Sequence, residues 1–274
     1  MFVCLTSVAK GQVPEIIVVQ DMKYDSLIHA AGYKWYVESI SSHISPRTIK
    51  ENRFKDKLAQ IHSLTTPIYA VNIFLPGSLK VVGPSVNEKA VLAYADTVFQ
   101  RCLAAGINMI IWGSGGSRRV PEGFDHTKAK EQFISIARKV AILAQHYGIE
   151  IVLENLNHTE TNFINKVSEI IGIAEAVDQP NFRICVDIYH MLMEGEAPGI
   201  ISKTGKYLVH CDIAEKEGRT PPGTHGDDFT PYLKALRNVG YKGKITLECN
   251  WKDVKTELFT GKTNLQTQVE AVFK

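Results

Sequence analysis

Four stretches in the second half of the chain end in groups that can bind a cation or move a proton. Ile151-Val-Leu-Glu154 runs on into Asn-Leu-Asn157-His158-Thr-Glu160, and Ile184-Cys-Val-Asp187 runs on into Ile-Tyr-His190. Leu208-Val-His210-Cys-Asp212 is followed by Ile-Ala-Glu215, and Ile245-Thr-Leu-Glu248 by Cys-Asn. Each stretch is apolar and β-branched up to its acidic end, as a buried strand would be, and side chains along a strand alternate between two faces. One face carries Ile151, Leu153, Ile184, Val186, Val209, Cys211, Ile245 and Leu247, apolar enough to pack under helices. The opposite face carries Glu154, Asp187, His210 with Asp212, and Glu248. Carboxylates brought together in a low-dielectric mouth repel one another, and a divalent cation removes that cost. An oxygen-rich set with at most one imidazole suits Mn²⁺ or Mg²⁺, with Co²⁺ or Zn²⁺ less favoured. Taken singly, each acid reads equally well as a solvated strand end or as a partner of Arg183 or Arg219. Their matched positions on successive runs point to a shared centre.

The elements that must position these groups are visible along the whole chain. Eight β-rich runs occur: Ile16–Gln20, Trp35–Ser39, Ile68–Phe74, Asn108–Gly113, Glu150–Asn155, Phe182–Ile188, Tyr207–Ile213 and Lys244–Cys249. Between them lie amphipathic helical stretches, one with Val91, Leu92, Ala95, Val98, Phe99 and Cys102 on one face, another with Phe133, Ile136, Ala137, Val140, Ala144 and Tyr147. Gly106, Gly148 and Gly240 stand where helices should end, each just before a strand. Strand–helix units joined by short turns predict an α/β fold, a single (β/α)8 TIM barrel. The rival, an open doubly wound sheet, usually carries a glycine-rich fingerprint after its first strand, whereas Asp21-Met-Lys-Tyr24 follows here. The length of 274 residues is close to the roughly 250 typical of such a barrel, and no linker or repeat divides it. Residues 1–274 are therefore expected to form one domain, with 1–14 as an extension before strand one. Active sites of this architecture sit at the C-terminal ends of the strands, where the four acidic termini fall.

Composition narrows the partners. The balance of 31 basic against 29 acidic side chains leaves a formal charge of +2, too little for a dedicated nucleic-acid binder. No apolar run approaches the roughly 18 residues of a membrane helix, so no membrane partner is expected. Cys4, Cys102, Cys185, Cys211 and Cys249 are odd in number and never spaced as C-x-x-C, which suits a reducing, cytoplasmic setting. The apolar run from Phe2 to Ala9 leaves the alternative of a truncated signal peptide and a bacterial periplasm.

These residues also carry a family resemblance. The chain resembles the xylose-isomerase-like TIM barrels, the sugar isomerase/epimerase superfamily that includes ketose 3-epimerases, hydroxypyruvate isomerase, inosose dehydratase and endonuclease IV. Glu154-Asn-Leu-Asn157-His158-Thr-Glu160 looks like the E-x-x-N-R-x-E segment of ketose 3-epimerases, and Asp187-Ile-Tyr-His190 matches their D-x-x-H. Glu215 through Arg219-Thr-Pro-Pro-Gly223 resembles their E…R-x-x-P-G loop. The resemblance implies a small carbohydrate substrate, one divalent metal ion, most often Mn²⁺, and a frequent homo-oligomer. Carried over by position, Glu154 and Glu248 are catalytic and also metal ligands with Asp187, and Glu160, His190 and Arg219 bind the substrate's oxygens.

Two departures stand out. The family's strand seven reads roughly H-x-H-I-x-D/E with the second His on the metal, whereas this chain has Asp212 there and His210 two residues earlier. Asp212 is taken as the fourth ligand, with His210 behind it or toward the substrate, and His210 as ligand is the alternative. The second departure is His158 in place of the family's Arg. The chemistry implied is a metal-dependent isomerase or epimerase working through a cis-enediolate next to a ketose carbonyl. The alternatives are a lyase or dehydratase on a keto-inositol or 3-keto-glycoside using the same site, or a sugar-binding barrel without catalysis. An endonuclease would need several metals, more histidines and a basic face.

Weaker signals complete the reading. Trp112, at the end of the fourth run, is taken as an aromatic wall for a sugar, although aromatics are equally ordinary core residues. Gly113-Ser-Gly-Gly-Ser-Arg118-Arg119 could cradle a phosphate, but a plain turn with surface arginines is favoured because no Gly-Lys-Ser/Thr follows. Glu38, ending the second run, is read as pointing to the same face as the four acids, and Cys185 as inert packing below Asp187.

Overall fold

The computed structural model describes residues 12–274. The apolar run Phe2–Ala9, Cys4 and most of the expected 1–14 extension lie outside the described residues. Eight strands follow one another: β1 (Ile16–Val19), β2 (Tyr36–Ser39), β3 (Ile68–Asn72), β4 (Met109–Trp112), β5 (Glu150–Glu154), β6 (Phe182–Asp187), β7 (Leu208–Ile213) and β8 (Lys244–Leu247). They pair in parallel and in sequence order, and β8 closes on β1. This is the single (β/α)8 TIM barrel the alternation of elements requires, and each strand lies inside one of the eight runs.

The helices are α1 (Asp25–Ala30), α2 (Ile40–His43), α3 (Glu51–His62), α4 (Glu88–Ala104), α5 (Gly115–Arg118), α6 (His126–His146), α7 (Val167–Val177), α8 (Ile188–Glu194), α9 (Thr230–Asn238) and α10 (Val254–Phe273). The periodic faces do what their spacing implies. Val91, Ala95, Val98, Phe99 and Cys102 of α4, and Phe133, Ile136, Ala137, Val140 and Ala144 of α6, are buried against the outside of the barrel. Gly148 ends α6 in the left-handed region (φ 65°), letting the next amide, Ile149 N–H, bond back to Ala144 and turn the chain into β5. No helix among the described residues is long and apolar enough to cross a membrane.

Two apolar clusters divide the core. A small one fills the barrel axis with Ile17, Val37, Ala70, Met109, Ile111, Val152 and Cys185. A large one, including Ile110, Trp112, Ile151, Leu153, Ile184, Val186, Cys211, Ile213, Ile245 and Leu247, lies between sheet and helices. The alternation read from the sequence therefore holds on β5, β6 and β8. On β7 it slips at Val209, expected outside but packed against the axial cluster. The register shifts there, because Ile184 pairs with Leu208 and Cys185 with His210, leaving Val209 as an extra, bulged residue. Beyond the bulge His210 and Asp212 share the inward face again.

The same two clusters correct two expectations. Trp112 shares a face with Ile110, not with the axial Met109 and Ile111, so it points outward and is fully buried against Phe74 and Phe133, at centroid distances of 5.4 and 5.1 Å. It cannot form a sugar-stacking wall. Glu38 shares its face with the outward Tyr36, while axial Val37 lies between them. Its carboxylate accepts Met22 N–H (2.7 Å) and Ser39 N–H (2.9 Å), tying the turns after β1 and β2 together rather than facing the mouth.

Candidate active site

The C-terminal ends of the strands gather the acids. Ligand atoms of Glu154, Asp187, Asp212 and Glu248 all lie within 4.8 Å of one another. Glu154 is the last residue of β5, and Asp187 the last of β6. Asp187 also opens α8, its Oδ1 accepting His190 N–H at 3.1 Å, so strand passes to helix without a loop and His190 follows one helical turn later. Asn155 fixes the neighbouring strand ends, accepting Asp187 N–H (3.0 Å) and donating to the Asp187 carbonyl (3.2 Å).

Burial decides the electrostatics of this cluster. Desolvation pushes Glu154 well above the usual carboxylate range, and the charges of Glu248, Asp187 and Asp212 push the same way. Burial likewise raises Asp187 and Glu248 to about 7 each, although Arg219 opposes the rise at both. Asp212 behaves differently. Burial would raise it, but His210, Cys185 and Thr246 outweigh that and hold it below the ordinary carboxylate value. Its Oδ1 lies 3.0 Å from His210 Nε2, and its Oδ2 accepts from Cys185 Sγ at 3.1 Å. His210 is fully buried beneath Asp212, its Nε2 also 2.9 Å from Thr246 Oγ1, and it does not line the cavity. The substrate contact allowed for His210 therefore has no route, and the imidazole instead supports Asp212 from below.

His190 presents one defined ring edge. Its Nδ1 accepts the Asn157 backbone N–H (3.1 Å) and the Asn157 Nδ2 amide (2.8 Å). A backbone N–H can only donate, so Nδ1 is the acceptor and the ring proton sits on Nε2. That Nε2 has no protein partner and lies 3.4 Å from Asp187 Oδ2 and 3.8 Å from both Glu154 Oε1 and Glu160 Oε1. Burial lowers the His190 pKa to about 3, keeping the ring neutral.

Arg219 closes the cluster from the loop after β7. Its Nη1 donates to Glu160 Oε1 (3.1 Å), its Nη2 to Asp187 Oδ2 (3.3 Å) and to Glu248 Oε2, and its Nε to the Glu248 carbonyl (3.1 Å). The guanidinium also lies 4.7 Å from the Tyr189 ring centre. Burial opposes its charge, but Glu248, Asp187, Glu154 and Glu160 outweigh this and hold it charged more firmly than usual. The loop itself is organised by Glu215, a fully buried carboxylate that accepts the N–H groups of Gly223 (2.6 Å), His225 (2.5 Å) and Gly226 (3.0 Å) and the Thr220 hydroxyl (3.2 Å).

Asn72 and Ile73, which sequence reasoning passed over, and Gly113, read there only as part of a turn, belong to the site. Asn72, ending β3, donates from Nδ2 to Glu248 Oε1 at 3.0 Å. It is a polar residue closing an apolar run, the same signal that marked the acids. Gly113 leaves room for Glu154, and Ile73 lines the cavity beside Leu156. The two arginines of the glycine turn after β4 donate to backbone carbonyls. Arg118, expected on the surface, is fully buried and donates to the carbonyls of Trp112 (3.4 Å), Glu154 (2.9 Å) and Ile164 (3.4 Å), while Arg119 donates to the Glu160 carbonyl (2.7 Å). Both arginines are spent on shaping the β4 and β5 loops.

The cavity bounded by Glu154, Glu160, His190, Arg219, Glu248, Asn72 and Ile73 holds about 130 Å³. A larger one, about 550 Å³, opens at the other end of the barrel around Tyr69, Glu150, Val209 and Tyr241. None of the potential metal-binding groups among the described residues lies there, and barrel chemistry belongs to the opposite end, so the smaller cavity is the candidate site. Its residues fit a divalent cation. Four carboxylates converge, burial and mutual repulsion raise the pKa values of three, and the donors are hard oxygens.

Comparison with known proteins finds relatives with the same barrel fold. The family model described as xylose isomerase-like TIM barrel matches residues 26–272. The chain is 28% identical over 172 residues to D-psicose 3-epimerase of Ruminiclostridium cellulolyticum, covering 60% of this chain and 57% of that protein. It is 29% identical over 139 residues to a putative hydroxypyruvate isomerase of Homo sapiens, covering 47% and 50%. The chain thus spans little more than half the length of these relatives. Among solved structures, D-psicose 3-epimerase with D-tagatose from Clostridium cellulolyticum H10 superposes with a TM-score of 0.75 at 19% identity, covering 94% of this chain and 96% of that one.

Proposed function

Because the chain belongs to the xylose isomerase-like TIM barrel family, we propose that it is a metal-dependent isomerase or epimerase of uncharged ketoses, acting through a cis-enediolate. The observation that carries the reading is the convergence of Glu154, Asp187, Asp212 and Glu248 within 4.8 Å, beside the unpartnered Nε2–H of His190. These four residues would hold the cation, Mn²⁺ by preference given their all-oxygen set, and when bound it supplies Lewis-acid polarisation of a carbonyl.

The protein's own groups do the rest. Glu154 and Glu248 reach the cavity from β5 and β8, so a carbon held between them is approached from two sides. One carboxylate accepts the proton from the C–H beside the carbonyl, and the electron pair left behind moves toward the carbonyl oxygen to give the cis-enediolate. Return of a proton from the other carboxylate on the opposite face inverts that carbon. Return at the former carbonyl carbon, with the hydroxyl proton passing to the other oxygen, interconverts ketose and aldose when the C–H first broken is on C1. Burial raises both carboxylates above the ordinary range, Glu248 to about 7, which makes each a stronger base than an exposed carboxylate. His190 donates its Nε2–H to a substrate oxygen, and Arg219 and Glu160 engage neighbouring hydroxyls.

Charge favours an uncharged sugar. Glu154, Glu160, Asp187, Asp212 and Glu248 surround a site where Arg219, the one cation lining the cavity among the described residues, already binds three of them. With a divalent ion added the site stays negative and disfavours a keto acid or phosphate ester. We read the whole chain, 1–274, as one cytoplasmic domain whose partner is the sugar, with Cys102, Cys185, Cys211 and Cys249 free.

The test is metal analysis of the purified protein, followed by Mn²⁺ loading and deuterium uptake from D₂O into a panel of ketoses, with Glu248→Gln as control. Bound metal with exchange that vanishes in Glu248→Gln supports the reading. Loss of a leaving group during exchange would make it a lyase, and absence of both metal and exchange would leave a sugar-binding barrel.

A further inference from the structure

Ile73 stands in a backbone conformation that a β-branched residue avoids. Its φ is 56°, where Cβ crowds the following carbonyl and where glycine or asparagine is the usual choice. Its neighbours hold it there. Asn72 points into the barrel to bond Glu248, while Phe74, two residues on, turns outward between Trp112 and Phe99, at 5.4 and 5.7 Å. Leu75 N–H then bonds Ser114 Oγ at 2.9 Å, and Ser114 is itself left-handed with φ 46°. Ile73, Ser114 and Arg219, three of the five non-glycine residues with positive φ among the described residues, line the candidate-site cavity. Strain gathered at a cavity wall is characteristic of a site that positions a ligand.

Burial within the protein does not offset the strain at Ile73, because the side chain is 52% exposed at the cavity mouth. Its surroundings say what meets it. The charged groups and the imidazole of the cavity come from β5 to β8 and the segments that follow them, whereas the wall from β3 and β4 offers Asn72, Ile73, Gly113 and Ser114, joined by Leu156 from the loop after β5. On that wall Asn72 Nδ2 is engaged with Glu248 and Ser114 Oγ with the Leu75 amide, Asn72 Oδ1 has no partner, and Ile73 and Leu156 supply the apolar surface. A hydroxyl placed against Ile73 and Leu156 would give up water for apolar surface, whereas a methyl group would gain by the same contact.

We propose that Ile73 is a specificity-determining residue whose side chain packs on a deoxygenated end of the substrate. The preferred ketoses then end in a methyl group where ordinary hexuloses carry a hydroxymethyl. This rests on the isomerase reading of the same site. The experiment compares a hexulose with its 6-deoxy counterpart of the same configuration, on Mn²⁺-loaded wild type, Ile73→Ser and Ile73→Gly. Wild type is expected to favour the deoxy sugar by about 10- to 100-fold in kcat/KM, and Ile73→Ser to bring the ratio to within a few-fold. Ile73→Gly, free to adopt the same φ, is expected to lose the preference without a fall in Tm, which separates lost contact from misfolding. Calorimetric titration of both sugars reads the same ratio as affinities. If neither is turned over but the deoxy sugar binds more tightly by an Ile73-dependent factor, the isomerase reading falls and the specificity assignment stands. Equal or absent binding of the two sugars, a wild-type preference for the hydroxymethyl form, or a ratio unmoved by both substitutions overturns it.

Discussion

The carboxylate of Glu154 occupies the space that any side chain at Gly113 would need. A Cβ built on Gly113 falls inside the closest approach tolerated to Glu154 Oε2 and 3.3 Å from its Cδ. The glycine at the end of β4 is therefore what allows the carboxylate at the end of β5 to face the mouth. Gly113→Ala is expected to displace Glu154 and lower kcat/KM by on the order of 10²-fold, the usual consequence of misplacing a reacting group by about 1 Å. Steady-state kinetics with metal content measured in parallel would check it, and unchanged kinetics would dissociate Glu154 from the chemistry.

The raised pKa values of Asp187 and Glu248, from 3.8 and 4.5 to about 7, set a direction for pH dependence. Both groups bind protons more tightly in the folded protein than in the unfolded chain. The stability they contribute without metal is complete below about pH 4 and is lost as pH rises toward 7. Metal-free protein should therefore melt at lower temperature at pH 7.5 than at pH 5.5. Mn²⁺ should reverse the trend and release protons on binding near pH 6. Thermal scans at several pH values, with calorimetry in buffers of different ionisation enthalpy, measure both, and a metal-free Tm that rises through this window would refute the assignment.

Glu215 holds the loop that carries Arg219. Removing its carboxylate leaves the N–H groups of Gly223, His225 and Gly226 without their acceptor inside the fold. Glu215→Ala is expected to cost about 2–4 kcal/mol, since bonds to a charged group contribute roughly 1.5–3 kcal/mol each and the loop relaxes in part. KM should rise with the loss of Arg219's position. Urea unfolding and kinetics give the two numbers, and a fall in stability with an unchanged KM would confine Glu215 to a structural role.

Trp112 offers the opposite test. It is buried between Phe74 and Phe133 with its indole N–H unpartnered, so Trp112→Phe removes volume and one unsatisfied donor together. The expected cost is about 1–2 kcal/mol with kcat/KM unchanged within about two-fold. A change in sugar KM well beyond that would restore Trp112 to the site.

Much of this arrangement follows from the order of residue types alone. Eight β-rich runs alternating with helical ones leave a closed parallel barrel as the economical solution, and a barrel brings all its C-terminal strand ends to one mouth. Glu154, Asp187, Asp212 and Glu248, each closing an apolar run, therefore meet once the barrel closes. Alternation along a strand separates two faces but does not name which one looks inward. Only packing settles that: Trp112 follows Ile110 outward, Glu38 follows Tyr36 outward, and the bulge at Val209 resets β7 so that His210 lies beneath Asp212. Tertiary structure also decided the fate of Arg118, buried because the carbonyls of Trp112, Glu154 and Ile164 converge on it, of Asn72, bonded to Glu248, 176 residues away, and of the turn that carries Ile73, where Leu75 N–H bonds Ser114, 39 residues away. Short-range pattern records what a residue can do; the long-range contacts that choose among those options exist only in the folded chain.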